Sequence, residues 1–246
     1  MNARQGFVGQ SVERREDTRF LTGRGQYTDD ITLPGQTHGV FLRSPHAHAR
    51  IKSIDTTAAA KAPGVVAIFN GEPFKGVGGL PCGWLINSLD GTPMKEPKHP
   101  VLADGKVRYV GDRVALVVAE TLAQAQAARD LIEVEYEVLT PVIDTAKATA
   151  IASNVHDEAP GNLCYHWGIG DKDGTAAAFA NAAHVTTLHF RNNRLIPNAM
   201  EPRCANASYN SAADEYTLYV SNQNPHVERL LMCAFVLGIP EHKMRV

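Results

Sequence analysis

The sequence predicts an α+β protein built from two units, and three observations lead there. Ile132-Glu133-Val134-Glu135-Tyr136-Glu137-Val138 alternates apolar and acidic residues, the period of a strand with one wet face. Just before it, Thr121 opens an alanine-rich stretch with Gln124 three positions on, a capping box in the Thr-x-x-Gln form. Further along, Glu215–Val220 reads as a strand that passes through a polar turn into an amphipathic helix.

In chain order, residues 1–20 are polar and aperiodic and read as an arm. Gly39–Arg43 and Ala49–Ile54 read as strands on either side of the Ser44-Pro45-His46 break, and Val65–Phe69 as a short apolar strand after Pro63-Gly64. Residues 70–100 are rich in Gly and Pro and read as a long loop. Lys106–Val110 and Val114–Ala119 flank Gly111-Asp112, a hairpin signal. Ala123, Ala125, Ala127 and Ala128 let the following helix lie close on a sheet. These elements form one compact α/β unit. Residues 139–162 read as a connector.

The second unit is expected to hold a short helix over Thr175–Ala182, then strands over His184–Phe190, Cys204–Tyr209 and Glu215–Val220. In the terminal helix Asn224 is the N-cap and Pro225 takes the first helical position, where its missing N–H costs nothing. Val227, Leu230, Leu231, Ala234 and Phe235 form the apolar face. Gly238 suits the left-handed closing residue and Pro240 prevents continuation into the extended segment beyond. Gln223 therefore sits one residue before the cap, at the sheet end where helix N–H groups are expected to point outward.

Bulk properties exclude several classes. The 246 residues are enough for one large domain or two modest ones, and 44% are apolar, so a core can form. Lys plus Arg is 24 against 26 Asp plus Glu, a net charge of −2 with no basic run, which leaves no footprint for nucleic acid. No stretch approaches the roughly 20 apolar residues of a membrane span. The N-terminus lacks a signal-peptide core, and no hydrophobic region follows Arg14-Arg15, so the expected location is the cytoplasm. Cys82, Cys164, Cys204 and Cys233 lie far apart without a C-x-x-C, which argues against a zinc ribbon or iron–sulfur cluster in this chain and for thiols buried as small apolar groups.

Each candidate for chemistry has a plain structural alternative. His46 and His48 would share one face of a strand, as metal ligands do, but no third ligand is near and Pro45 argues for a turn; structural hydrogen bonding is favoured. Gly168-Ile-Gly170-Asp-Lys-Asp-Gly174 lacks phosphate-loop spacing and reads as a tight turn before a helix. Ser44 and Ser221 have no G-x-S-x-G context. Glu201-Pro202-Arg203 reads either as a surface ion pair of small worth or as a clamp beside a cofactor cavity. Gln223 carries a neutral amide, donor and acceptor at every relevant pH, and either holds a polar ligand or satisfies a loop backbone.

Several stretches taken together resemble one family. Glu13-Arg14-Arg15-Glu16-Asp17 with Arg19 to Asp30, Arg43-Ser44-Pro45-His46-Ala47-His48-Ala49-Arg50-Ile51, and Val107 to Ala115 are similar to the opening of the molybdenum-hydroxylase large subunit. So are Ile132 to Val138, Ala199-Met200-Glu201-Pro202-Arg203 and Gln223 to Val246. This is the xanthine dehydrogenase/aldehyde oxidase family, most nearly its carbon monoxide dehydrogenase-like large chains. Each motif alone is weak; the ordered set, covering nearly the whole chain, is specific.

The resemblance implies an α/β-hammerhead domain over residues 21–140, a connector over 141–162 and the first, incomplete part of a molybdopterin-binding domain over 163–246. It implies that Gln223 hydrogen-bonds an oxygen of the molybdenum centre. It further implies molybdopterin in its cytosine dinucleotide form, and hydroxylation of a carbon centre (an aldehyde, an N-heterocycle or CO) with oxygen from water. The expected partners are the remaining molybdopterin-binding polypeptide, an iron–sulfur small subunit carrying [2Fe–2S] and a medium subunit carrying FAD. The family's G-G-G-F-G segment, later pterin-binding stretches and glutamate base are not among these 246 residues, so the chain alone is expected to be inactive, with no complete catalytic set. Cys204 replaces a common glycine and does not match the loop cysteine of true carbon monoxide dehydrogenases. The competing reading is a non-catalytic scaffold or assembly module; a histidine-based metal enzyme is a third.

Overall fold

A computed structural model describes residues 8–246. The first unit pairs two three-stranded antiparallel sheets. One has the order β1 (His38–Arg43), β5 (Arg113–Ala119), β3 (Val65–Phe69); the other has β4 (Lys106–Val107), β2 (Ala49–Asp55), β6 (Glu133–Val138). Central strand β5 is the most apolar of the six, and Val114, Ala115, Val117 and Ala119 are fully buried. Helix α2 (Leu122–Arg129) lies on this sheet through Ala125 and Ala128, both fully buried against Ala115, Val117 and Ala119. Small side chains permit that approach. Thr121 Oγ1 caps α2 by accepting from the Gln124 N–H at 3.3 Å. Strand β6 exposes Glu133 and Glu135, and the half-buried Glu137 meets Lys52 across the sheet at 2.8 Å.

The Gly111-Asp112 turn corrects one expectation. The strands around it do not form a hairpin: β4 pairs with β2, and β5 pairs with β1 and β3. The chain passes from one sheet to the other here, and it does so again at Ser44-Pro45-His46, between β1 and β2. The two crossings are stitched together. Ser44 N–H donates to the Asp112 carbonyl and Gly111 N–H to the Ser44 carbonyl, both at 2.8 Å. The buried Asp112 carboxylate accepts from the Arg108 and Arg113 N–H groups, each at 3.0 Å. Gly111 has φ +90°, which an L side chain resists. A Gly-Asp signature marks a reversal; it does not say whether the flanking strands stay in one sheet.

Residues 70–100 form a loop with one 3₁₀ turn at Glu72–Phe74 and one isolated bridge, Asn87 to Pro93. Of the arm, residues 8–20 are described, and a short helix α1 (Asp17–Leu21) at its end adds order the sequence did not signal. The connector contains 3₁₀ turns at Thr145–Ala150 and Pro160–Asn162.

In the second unit helix α3 spans Lys172–Ala180, three residues earlier than expected at its start, because Asp171 Oδ1 accepts the Gly174 N–H at 2.8 Å and caps it. The strand expected over His184–Phe190 does not form; those residues are irregular and exposed, and no described strand lies beside them to complete a ladder. Strands β7 (Ala205–Asn210) and β8 (Glu215–Val220) make an antiparallel hairpin, and β9 (Met244–Arg245) joins β8 in parallel. Between β8 and β9 runs helix α4 (Pro225–Leu231), which widens into a π-helical turn over Met232–Leu237 and closes at Gly238, φ +65°. The terminal helix is thus one continuous body, but only its first half is α-helical. Among the described residues no helix is long and apolar enough to cross a membrane.

Candidate cofactor-binding site

The β8–α4 turn is built by three consecutive polar residues with different tasks. Asn222 Oδ1 accepts the Asn224 N–H at 3.0 Å, and Asn224 Oδ1 accepts the Val227 N–H at 3.4 Å. The two asparagines are therefore consumed by the turn and the cap. Gln223, between them, is exposed and its side chain makes no hydrogen bond among the described residues. The expectation that several helix N–H groups point outward is corrected. Proline has none at position 225, Val227 is capped, and Glu228 donates to the Asn224 carbonyl, which leaves the His226 N–H. The Gln223 amide and the His226 N–H are therefore left available at this turn.

Glu201 anchors the turn from behind. One carboxylate oxygen accepts the Thr28 N–H at 3.1 Å and the Thr28 hydroxyl at 3.1 Å, and it lies 3.0 Å from the Ser221 hydroxyl. The Thr28 amide and the Ser221 hydroxyl hold the Glu201 carboxyl below the usual carboxylate range. Glu201 therefore does not pair with Arg203, as the surface-pair reading would have it; it clamps the 28–30 turn of the first unit to the end of β8. Nearby, Asn206 Nδ2 donates at 2.9 Å to the Ile31 carbonyl and to Gln36 Oε1. Sequence reasoning singled out Glu201 but missed Thr28, 173 positions away, and no local signal connects the two.

A second contact joins the units. A Cβ placed on Gly78 would lie 1.5 Å from the Phe235 carbonyl oxygen, so only glycine lets the 70–100 loop reach the π-helical turn.

The remaining candidates disperse. His48 is buried, with Nδ1 2.9 Å from the Thr140 carbonyl, and His46 stacks edge-on to Tyr136 at 4.9 Å. Among the described residues no three His, Cys, Asp or Glu side chains converge as metal ligands. The four cysteines are free and separate. Burial, then Asp29 at 3.6 Å, pushes the Cys204 thiol up, away from thiolate character. Of the Gly168–Gly174 segment, residues 168–171 lead into α3 and Gly174 lies inside it, so the expected turn before the helix is only its first part.

Comparison with known proteins accounts for both units. Residues 22–140 match the model of the aldehyde oxidase and xanthine dehydrogenase a/b hammerhead domain, and residues 155–246 match that of the molybdopterin cofactor-binding domain. The chain is 37% identical to the carbon monoxide dehydrogenase large chain of Afipia carboxidovorans, with 97% of this chain and 30% of that one aligned. It is 37% identical to the nicotine 6-hydroxylase large subunit of Paenarthrobacter nicotinovorans, over 97% and 29%. Quinoline 2-oxidoreductase from Pseudomonas putida 86 superimposes with a TM-score of 0.84 at 36% identity, covering 96% of this chain and 29% of that one. The chain thus spans about 30% of the length of these relatives. It belongs to the xanthine dehydrogenase/aldehyde oxidase family of molybdenum-hydroxylase large subunits, of which it comprises a hammerhead domain followed by the start of a molybdopterin-binding domain.

Proposed function

We propose that this chain forms part of a molybdenum hydroxylase, in which it places Gln223 at the cofactor and joins the hammerhead domain to the cofactor-binding domain. The free carboxamide on the clamped β8–α4 turn carries this reading. An uncharged side chain with both a donor and an acceptor available fits a polar cofactor that must be oriented without a change in its charge. When bound, the molybdenum cofactor supplies two-electron redox chemistry, and hydroxylation of a carbon centre with oxygen from water is the reaction we assign. Gln223 holds the cofactor by hydrogen bonding. Glu201, through Thr28 and Ser221, holds the turn that carries Gln223.

The domain limits we assign are an arm to residue 20, the hammerhead over 21–140, a connector over 141–162 and cofactor-binding sequence from 163. The chain aligns with about 30% of its relatives' length, and in this reading catalysis draws on polypeptide equivalent to the rest. The relatives are named as large or molybdenum-binding subunits, which supports partner chains. We assign [2Fe–2S] and FAD to an iron–sulfur and a flavin subunit, the cytosine dinucleotide form to the cofactor, and the cytoplasm to the complex. Aldehydes, N-heterocycles and CO are the substrate classes.

The test is Gln223→Ala in the assembled enzyme, with molybdenum measured by mass spectrometry alongside turnover. Loss of an outer hydrogen-bonding partner of a metal centre typically costs about 10- to 100-fold in affinity or activity. A loss in that range is expected. Unchanged metal content together with unchanged turnover removes Gln223 from the site.

A further inference from the structure

Away from the β8–α4 turn, the hammerhead meets the connector at a cleft of about 240 Å³ whose walls include Lys98, His99, Arg108, Tyr109, Asp112 and His156. Four of the six carry nitrogen donors. Two of their nitrogens are buried without a partner: Arg108 Nε, which can only donate, and His156 Nδ1, which donates in one tautomer of the neutral ring. The guanidinium is tethered at one end, where Arg108 Nη1 donates to the Lys106 carbonyl at 3.1 Å.

The acidic groups nearby are already occupied or peripheral. Asp112 accepts the Arg108 and Arg113 N–H groups. Asp157 accepts from Lys106 Nζ at 2.9 Å. Glu158 is exposed. Lys98 Nζ donates to the Val77 carbonyl and still carries its charge beside the cleft. Burial first, then the Arg108 charge, lowers the His156 pKa, against a smaller opposing effect of the Glu158 carboxylate. A buried donor left unpaired is costly, and a small oxyanion supplies acceptors of the right sign.

We propose that the cleft between Arg108 and His156 binds a small tetrahedral oxyanion, phosphate-like in charge and shape. The anion comes either as free inorganic phosphate or as the phosphate group of a larger ligand. The site involves neither Gln223 nor the β8–α4 turn, and stands whether or not the assignment of that turn holds.

Calorimetric titration of the full-length protein with inorganic phosphate, at constant ionic strength in chloride, tests this. Saturable binding is expected, weakened about tenfold or more in Arg108→Gln by loss of a charge-assisted hydrogen bond. His156→Gln provides a second variant if the first fails to fold. A nucleoside monophosphate in a parallel titration separates the sources: tighter binding than phosphate identifies a larger ligand, and equal or weaker binding identifies the free ion. Crystals grown with selenate should show an anomalous peak between Arg108 and His156. No phosphate binding, equal binding in the variants, or a selenate-saturated crystal without that peak overturns the proposal.

Discussion

Glu201 illustrates how one carboxylate can fix a turn. Three donors converge on a single oxygen, and its folded pKa is lowered, chiefly by the Thr28 N–H. A carboxyl with a depressed folded pKa stabilises the fold above its unfolded value, near about 4.3, and loses that contribution as pH falls through the folded value. Glu201→Gln should therefore lower the melting temperature at neutral pH, and the gap from the parent should close as the solution is acidified from about pH 6 to about pH 3. A gap constant across that range would mean that the charge is not what matters. At this scale the Asn224 cap, and the place of Gln223 just before it, were legible, because Pro225 fixes the first helical residue. Thr28 was not, because hydrogen bonds across 173 positions leave no periodicity.

Among elements, legibility followed how local the cause was. Strands β2, β3, β6 and β8 and the cap of α2 were readable from alternation and capping chemistry. The false hairpin at Gly111-Asp112 and the missing strand at 184–190 both turn on strand partners, which a ladder requires and a single segment does not name. The π-helical turn was unreadable because the apolar spacing of Leu230, Leu231, Ala234 and Phe235 suits both windings over so short a stretch. Of the glycines, Gly78 has the least room for a side chain, facing the Phe235 carbonyl. Gly78→Ala should cost about 1–3 kcal/mol in denaturant unfolding, the range for forcing a methyl into a packed contact. Gly76→Ala is a poor control, since its φ of +91° adds strain of its own; Gly83→Ala, open on all sides, should be near neutral.

At the scale of the molecule, the two units differ in how completely they cover their apolar surface. The first has a closed core. The second leaves Phe190, Leu195 and Met200 each more than 85% exposed along the irregular stretch after α3. Large apolar side chains left exposed along one segment are what a surface covered by another polypeptide would present. Trypsin should cut the isolated chain at Arg191 or Arg194, within that stretch, and the assembled enzyme should be protected there. Equal cleavage in both would show that the stretch stays uncovered. The stitched crossings have a separate consequence. Each hammerhead sheet draws strands from both sides of the 70–100 loop: β1 and β3 clasp β5, while β4 and β6 clasp β2. Neither half owns a sheet. A backbone nick inside that loop should therefore leave two fragments that migrate as one species on a sizing column and part only in denaturant.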